Sequence, residues 1–385
     1  MENLFNIQAG SITISNPIAL SAMAGITDGA FAKQNAEKSG LVVLGAFNLD
    51  EESQKAGLEA ASRGRTEFTA DEFGGDVFAR IEQEINFVQK EMPETVVAVS
   101  VRSAAIDPLL KAAALLKEKN AIMELDIHCR QPEFTERGMG QSLLKETEKL
   151  AEIIQKIKGT GVVLSVKFRT NVVNPATAAE FFDAVGADIL HADAMIEKGG
   201  ADFEAITKIR NATRKIVIAN NSVDEFDAAL EFFTCGADMV SVARAAAADS
   251  RFIPHLAEKI TEYQKETGWY NAPKHVCKHG DNRGLTFCCP PVKYCSLLRK
   301  IEEIGFTPEE FIQLKQESVK GTLLADGKET CFGSLVWCCK GSKPCYYRDG
   351  TLAQLGISKD AYMRMKKDLS EKILDAIDER SSVKP

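Results

Sequence analysis

Between residues 17 and 244 the chain returns eight times to a short, almost wholly apolar run, and no other feature narrows its possible folds as much. The runs are "PIALSAM" (17–23), "LVVLGAF" (41–47), "VVAVSVR" (96–102), "AIMELDIH" (121–128), "VVLSVKF" (162–168), "DILHAD" (188–193), "KIVIAN" (215–220) and "DMVSVAR" (238–244). They are rich in Val and Ile and show little polar alternation, the pattern of strands covered on both faces. Amphipathic segments lie between them, among them "DPLLKAAALLKEK" (107–119) and "GQSLLKETEKLAEIIQKI" (140–157), each predicting one helix. Eight strand–helix units predict an α/β fold of the (β/α)8 type, a TIM barrel; a doubly wound open sheet is the rival and normally has fewer strands.

The pattern breaks near residue 267. "TGWYNAPKHVCKHGDNRG" (267–284) has no period and introduces cysteines, so the chain divides into a barrel over 1–266 and a small, cysteine-rich, partly helical domain over 267–385. Two helices are predicted in the second part. One lies at 307–321, with Thr307 as cap and Pro308 at its first position; the other lies at 358–380, capped by Ser358. The start, "MENLFNIQAG", lacks the basic and apolar regions of a signal peptide, and no apolar stretch is long enough to cross a bilayer. The expected location is the cytoplasm.

In a reducing compartment cysteines serve more often as metal ligands or reactive thiols than as disulfides. Eight of the ten here fall between 277 and 345, in two sets: Cys277, Cys288, Cys289, Cys295 and Cys331, Cys338, Cys339, Cys345. Four thiolates per set suffice for a tetrahedral zinc site or an iron–sulfur cluster. Neither set contains the C-x2–4-C knuckle of structural zinc, and adjacent cysteines diverge from one loop in a way that suits a bulkier centre. The expectation is one or two iron–sulfur clusters of the [4Fe-4S] kind, with zinc as the alternative.

At the strand ends, where such barrels gather their chemistry, stand Ser100 and Arg102, Asp126 and His128, Lys167 and Arg169, His191 and Asp193, Asn220 and Asn221, and Arg244. This set fits an anionic, hydrogen-bonding ligand. The net charge of −8 divides into −12 for residues 1–270 and +4 for 271–385, a poor basis for a nucleic-acid surface.

"NPIALSAMAGITDGAF" (16–31), "ELDIHCRQPEFTERGMGQSLL" (124–144), "VKFRT" (166–170), "ILHADAMIEKGGADFEAI" (189–206), "VIANNSVDEFDAAL" (217–230) and "GADMVSVARAAA" (236–247) together resemble the dihydrouridine synthase family, in order and over most of the predicted barrel. The resemblance implies FMN as cofactor. It implies catalytic or flavin-side roles for Lys167 and His191, and flavin contacts from Ala22, Met23, Ser100 and His128. Asn220, Asn221, Ala243 and Arg244 would bracket the phosphate. Asn221 and Ala243 stand where the family uses glycine, and Ser100 where it has glutamine. The family's catalytic cysteine falls on Gln131, two residues from Cys129, which is either a displaced catalytic thiol or a core thiol at a strand end; Cys235 reads as packing.

The doubled pattern in "FCCPPVKYC" (287–295) and "WCCKGSKPC" (337–345) resembles the methanogenesis marker 9 domain, with Tyr294 departing from the family's proline. The combined expectation is a flavin-dependent oxidoreductase-like protein with metal centres, linked to methanogenesis. It would work with a redox donor or another protein, not with nucleic acid or a membrane. The second reading is a non-catalytic metal-binding factor in regulation or assembly. The third, a tRNA-dihydrouridine synthase, is disfavoured by Gln131 and the acidic barrel.

Overall fold

The computed structural model describes residues 4, 5, 7–69, 75–197, 199–268, 270 and 356–382, with single positions 307, 310, 313, 317, 320, 350, 352 and 353. The chain forms two compact units, Met1–Lys259 and Ile260–Pro385.

The first unit opens with an antiparallel hairpin, β1 (Ile7–Ala9) and β2 (Ile12–Ile14). Eight parallel strands then close into a barrel: β3 (Ile18–Leu20), β4 (Leu41–Asn48), β5 (Val96–Arg102), β6 (Ile122–Ile127), β7 (Leu164–Arg169), β8 (Ile189–Asp193), β9 (Ile216–Asn220) and β10 (Met239–Val242). Each apolar run of the sequence supplies one strand. Closure pairs β10 with β3, setting Val240 opposite Ile18 and Val242 opposite Leu20. The runs are apolar throughout because both faces are enclosed, one by the barrel interior and one by the helices; all eight residues of β4 are buried. A TIM barrel is thus the fold of this unit.

Local signals set the helix starts. Asp50 caps Glu51–Ser62 through a capping box with Ser53, and Asn174 caps Pro175–Ala184 with Pro175 at the first position. The helix predicted over 107–119 is Ile106–Glu118. The one predicted over 140–157 is divided into a 3-10 turn, Gly140–Lys145, and a helix, Thr147–Gly159. The break falls at Glu146, whose φ of −108° and ψ of 60° are not helical; at the start of the turn Gly140 has φ of +59°, and an added Cβ there would come within 2.2 Å of the Cys129 carbonyl oxygen. Gln141 N–H donates to that same oxygen at 2.9 Å, so this turn is tied to the end of β6 instead of continuing the helix.

In the second unit the helix Lys359–Ser382 is the terminal one expected, and Ser358 Oγ accepts from Ala361 N–H at 3.0 Å. Thr307 and Glu310 exchange reciprocal bonds, Thr307 N–H to Glu310 Oε2 (2.8 Å) and Glu310 N–H to Thr307 Oγ1 (3.2 Å), the predicted capping pattern. Tyr270, Leu352, Tyr362 and Met363 are buried. Cys277, Cys288, Cys289, Cys295, Cys331, Cys338, Cys339 and Cys345 lie outside the described residues. Among the described residues no helix is long and apolar enough to cross a membrane.

Candidate active site at the mouth of the barrel

Alternate strand residues share a face, and strand register carries polar positions from one strand to the next. Ser100 pairs with Glu124, Asp126 with Lys167, Lys167 with His191, Arg169 with Asp193, and Asp193 with Asn220. Polar side chains enclosed in an apolar barrel must find one another, and they do so in a deep layer and a rim.

In the deep layer His191 is completely buried and both its ring nitrogens are engaged. Nδ1 lies 2.6 Å from Glu124 Oε2 and Nε2 lies 2.7 Å from Ser241 Oγ. Asn220 Nδ2 donates to Ser241 Oγ at 2.6 Å and to the Ser241 carbonyl at 3.0 Å. One assignment satisfies the chain: Asn220 donates to the Ser241 hydroxyl, Ser241 donates to His191 Nε2, and His191 Nδ1–H donates to ionised Glu124. Burial disfavours the imidazolium and lowers the pKa of His191, against the pull of Glu124. Burial works against the Glu124 carboxylate too, but His191 and Lys167 outweigh it and bring its pKa down to about 2. With His191 neutral, the compensating positive charge is Lys167. That residue is 4% exposed and donates from Nζ to Ser21 Oγ at 2.8 Å, its single bond to a described residue. Ser100 Oγ and Glu124 Oε1, on paired strand positions, are both buried, and the Ser100 hydroxyl helps to hold the Glu124 pKa down.

At the rim Arg102 donates to Asn48 Oδ1 (2.6 Å) and Asp126 Oδ2 (3.1 Å) and lies over the Phe134 ring at 4.4 Å. Asp126 Oδ1 accepts from the backbone N–H groups of His128 (3.0 Å) and Cys129 (3.2 Å), which fixes the turn leaving β6. His128 Nε2 sits 2.7 Å from Asp193 Oδ2, and Arg169 Nη2 lies 3.3 Å from the same nitrogen. Burial opposes ionisation of Asp193, yet His128, Arg169 and Lys167 hold its pKa below the ordinary value.

The loops after β9 and β10 form a separate group. Asn221 and Ser222 have φ of +103° and +52°, so the residue at the family's glycine position does adopt a left-handed backbone, which Asn tolerates. Ala243 has φ of −125°, outside the left-handed region. Arg244 Nη2 reaches Asn221 Oδ1 at 3.5 Å. Ala22 and Met23 are half-buried; the Met23 N–H and carbonyl are used inside the 23–27 turn, with Thr27 Oγ1 (2.9 Å), Ile26 N–H (2.9 Å) and Thr27 N–H (3.0 Å).

Lys167, His191, Ser100 and Asn220 therefore come together, with His128 at the rim above them. Cys129 does not join them. It packs among Ala56, Ala60, Phe68, Phe134 and Met139, and burial raises its thiol pKa. Gln131 stands at the N-cap position of the short helix Pro132–Thr135, where its carbonyl and not its side chain accepts the first bonds. Glu124, Ser21 and Ser241 were not singled out in the sequence. Glu124 alone carried a signal there, as a charge inside an otherwise apolar run.

The family model described as dihydrouridine synthase (Dus) matches residues 76–282, just over half of the chain. The chain is 56% identical over 107 residues to the uncharacterized protein MJ0115 of Methanocaldococcus jannaschii, covering 28% of this chain and 69% of that one. It is 31% identical over 241 residues to the uncharacterized protein MJ0144 of the same organism, covering 60% and 89%. A probable tRNA-dihydrouridine synthase of Mycobacterium tuberculosis is 24% identical over 261 residues, covering 62% of this chain and 61% of its own length.

Proposed function

The chain belongs to the dihydrouridine synthase family, and from that premise we propose that it is a flavin-dependent oxidoreductase-like protein whose barrel holds FMN. The observation that carries the reading is Lys167, buried in the barrel with one of its three donors used on a described residue. A lysine so enclosed is seldom left with two donors unmet.

The residues present fit the group. Ser100 Oγ is a second enclosed donor, and Asn221 and Ser222 form a left-handed turn of the sort whose backbone N–H groups cradle anions. Lys167 and Ser100 would face the ring, with Ala22, Met23 and His128 lining it and His191 beneath in its fixed network. Asn220, Asn221, Ala243 and Arg244 would hold the phosphate end. Bound FMN would supply hydride, carrying both electrons of a reduction. The chain's part is to hold the ring, to set positive charge beside it and to exclude water. Protein purified without oxygen and then denatured is expected to release a yellow, phosphate-bearing flavin. A folded, metal-replete chain that yields no flavin and takes up no added FMN would defeat the reading.

The eight cysteines between 277 and 345 we assign to iron–sulfur centres, with zinc as the alternative, and through the doubled motif to a role linked to methanogenesis. The support is their number and spacing. Electrons would pass between cluster and flavin, or to a redox partner.

One observation favours the second reading, a metal-binding factor without catalysis. Both His191 ring nitrogens are consumed by Glu124 and Ser241, and Cys129 is enclosed in an apolar cluster, so neither is free to exchange a proton. Uridine reduction in tRNA, suggested by the mycobacterial relative, is opposed by Gln131 at the acid position and by the net charge of −12 on residues 1–270. An unchanged dihydrouridine content in a deletion strain is the expected result.

A further inference from the structure

We propose that His128, oriented by Asp193, is the group that gives and takes a proton at the mouth of this barrel, a role that rests on the flavin reading above. Of the two histidines in the polar interior, His191 has both nitrogens occupied and no exposed surface. His128 differs on each count. Its side chain is 27% exposed while that of Asp193 is 6% exposed, so the ring reaches from a buried carboxylate to the solvent side. Nε2 is held on Asp193 Oδ2 at 2.7 Å, a closer contact than the 3.3 Å to Arg169 Nη2, and Nδ1 bonds to no described residue. A carboxylate on one ring nitrogen keeps the N–H there and leaves the other nitrogen as the site where a proton comes and goes.

The rest of the residue is immobilised for the purpose. Its N–H donates to Asp126 Oδ1 at 3.0 Å and its carbonyl accepts from Arg169 Nε at 3.1 Å. Charged groups of both signs surround the ring. Asp193 is offset by Arg169, whose Nη2 lies 3.6 Å from Asp193 Oδ2, and Asp126 is offset by Arg102 at 3.1 Å; Lys167 lies below and Arg130 follows in the chain.

Reduction of a carbon–carbon double bond consumes a hydride and one further proton. The hydride brings both electrons. The proton leaves Nδ1 of the His128 imidazolium, the neutral ring keeps Nε2–H on Asp193, and water restores the lost proton. His128 is then the catalytic residue and Asp193 its positioning residue.

The test uses the full chain loaded with FMN, reduced by dithionite without oxygen, and reoxidised in a single turnover. The acceptor is cyclohexenone, which must gain a proton at carbon, or ferricyanide, which takes electrons alone. His128→Gln is expected to lower the cyclohexenone-to-ferricyanide rate ratio about 100-fold. Asp193→Asn is expected to lower it about tenfold, with Asp193→Glu restoring most of the loss. Because each variant is compared with itself, weakened flavin retention cancels. An unchanged ratio in His128→Gln overturns the proposal. A wild-type chain that holds no FMN and reduces neither acceptor overturns the flavin reading and the role resting on it. A second measurement needs no flavin: diethyl pyrocarbonate on the folded chain, mapped by mass spectrometry, should acylate His128 and spare His191. Equal protection of the two overturns the proposal.

Discussion

His191 Nδ1 lies 2.6 Å from Glu124 Oε2 in a barrel interior where the two side chains are 0% and 1% exposed. Two titratable groups so enclosed make folding depend on pH. Glu124 has a folded pKa of about 2 against an ordinary 4.5, so its contribution is present above 4.5 and is lost as pH falls toward 2. His191 is depressed by burial below its ordinary 6.5, so the unfolded chain binds more protons there and stability declines as pH drops below 6.5. Urea midpoints are expected to be flat above neutrality and to fall through two stages in acid. Glu124→Ala should cost about 3–5 kcal/mol at pH 7.5, because it strands Lys167 as an uncompensated buried charge. Glu124→Gln should cost less, since its amide oxygen still accepts from His191.

Lys167→Met should lower stability, because it leaves the buried Glu124 carboxylate without its compensating charge, and in the protein that still folds it should reduce FMN retention tenfold or more (about 1.4 kcal/mol per factor of ten). Flavin absorbance after desalting, measured beside far-ultraviolet circular dichroism, checks both parts. Full retention of FMN in this variant would remove Lys167 from the flavin site.

Gly140→Ala should destabilise the first unit by roughly 1–3 kcal/mol, the scale of a residue forced into a strained backbone region. Both its φ of +59° and the 2.2 Å approach of a Cβ to the Cys129 carbonyl oxygen oppose the change. The same change should raise the reactivity of the Cys129 thiol toward maleimide in the folded chain, because the turn that covers it loosens.

Protein prepared without oxygen should contain roughly eight irons with matching sulfide if each cysteine set holds a four-iron cluster. Replacing Cys338 and Cys339 together by Ser should remove about half of that metal. Complete loss would instead mean one centre shared by both copies of the motif. Two equivalents of zinc without iron would rule out the redox role.

The sequence by itself determined the strands. Runs such as "LVVLGAF" and "VVLSVKF" can be satisfied only where both faces are covered, and eight of them in series leave little besides a closed parallel barrel. It also determined which residues stand at strand ends, because the last polar positions of each run are readable directly. Partnership was not readable, since it is a property of closure. Glu124 and His191 are 67 residues apart in the chain, and His191 and Ser241 are 50 apart. Only the strand register and the alternation of side chains bring them into one hydrogen-bonded series. Ser21 and Ser241 gave no sign in the sequence, because a hydroxyl becomes informative only once an enclosed Lys167 or His191 needs it. The tertiary structure likewise decided between the two readings of proximity at "DIHC": the Asp126 carboxylate anchors the turn, His128 faces Asp193 at the rim, and Cys129, one residue on, is enclosed by Phe68, Phe134 and Met139. Burial and bonding geometry assign neighbouring residues opposite fates, and neither is encoded in the order of the letters alone.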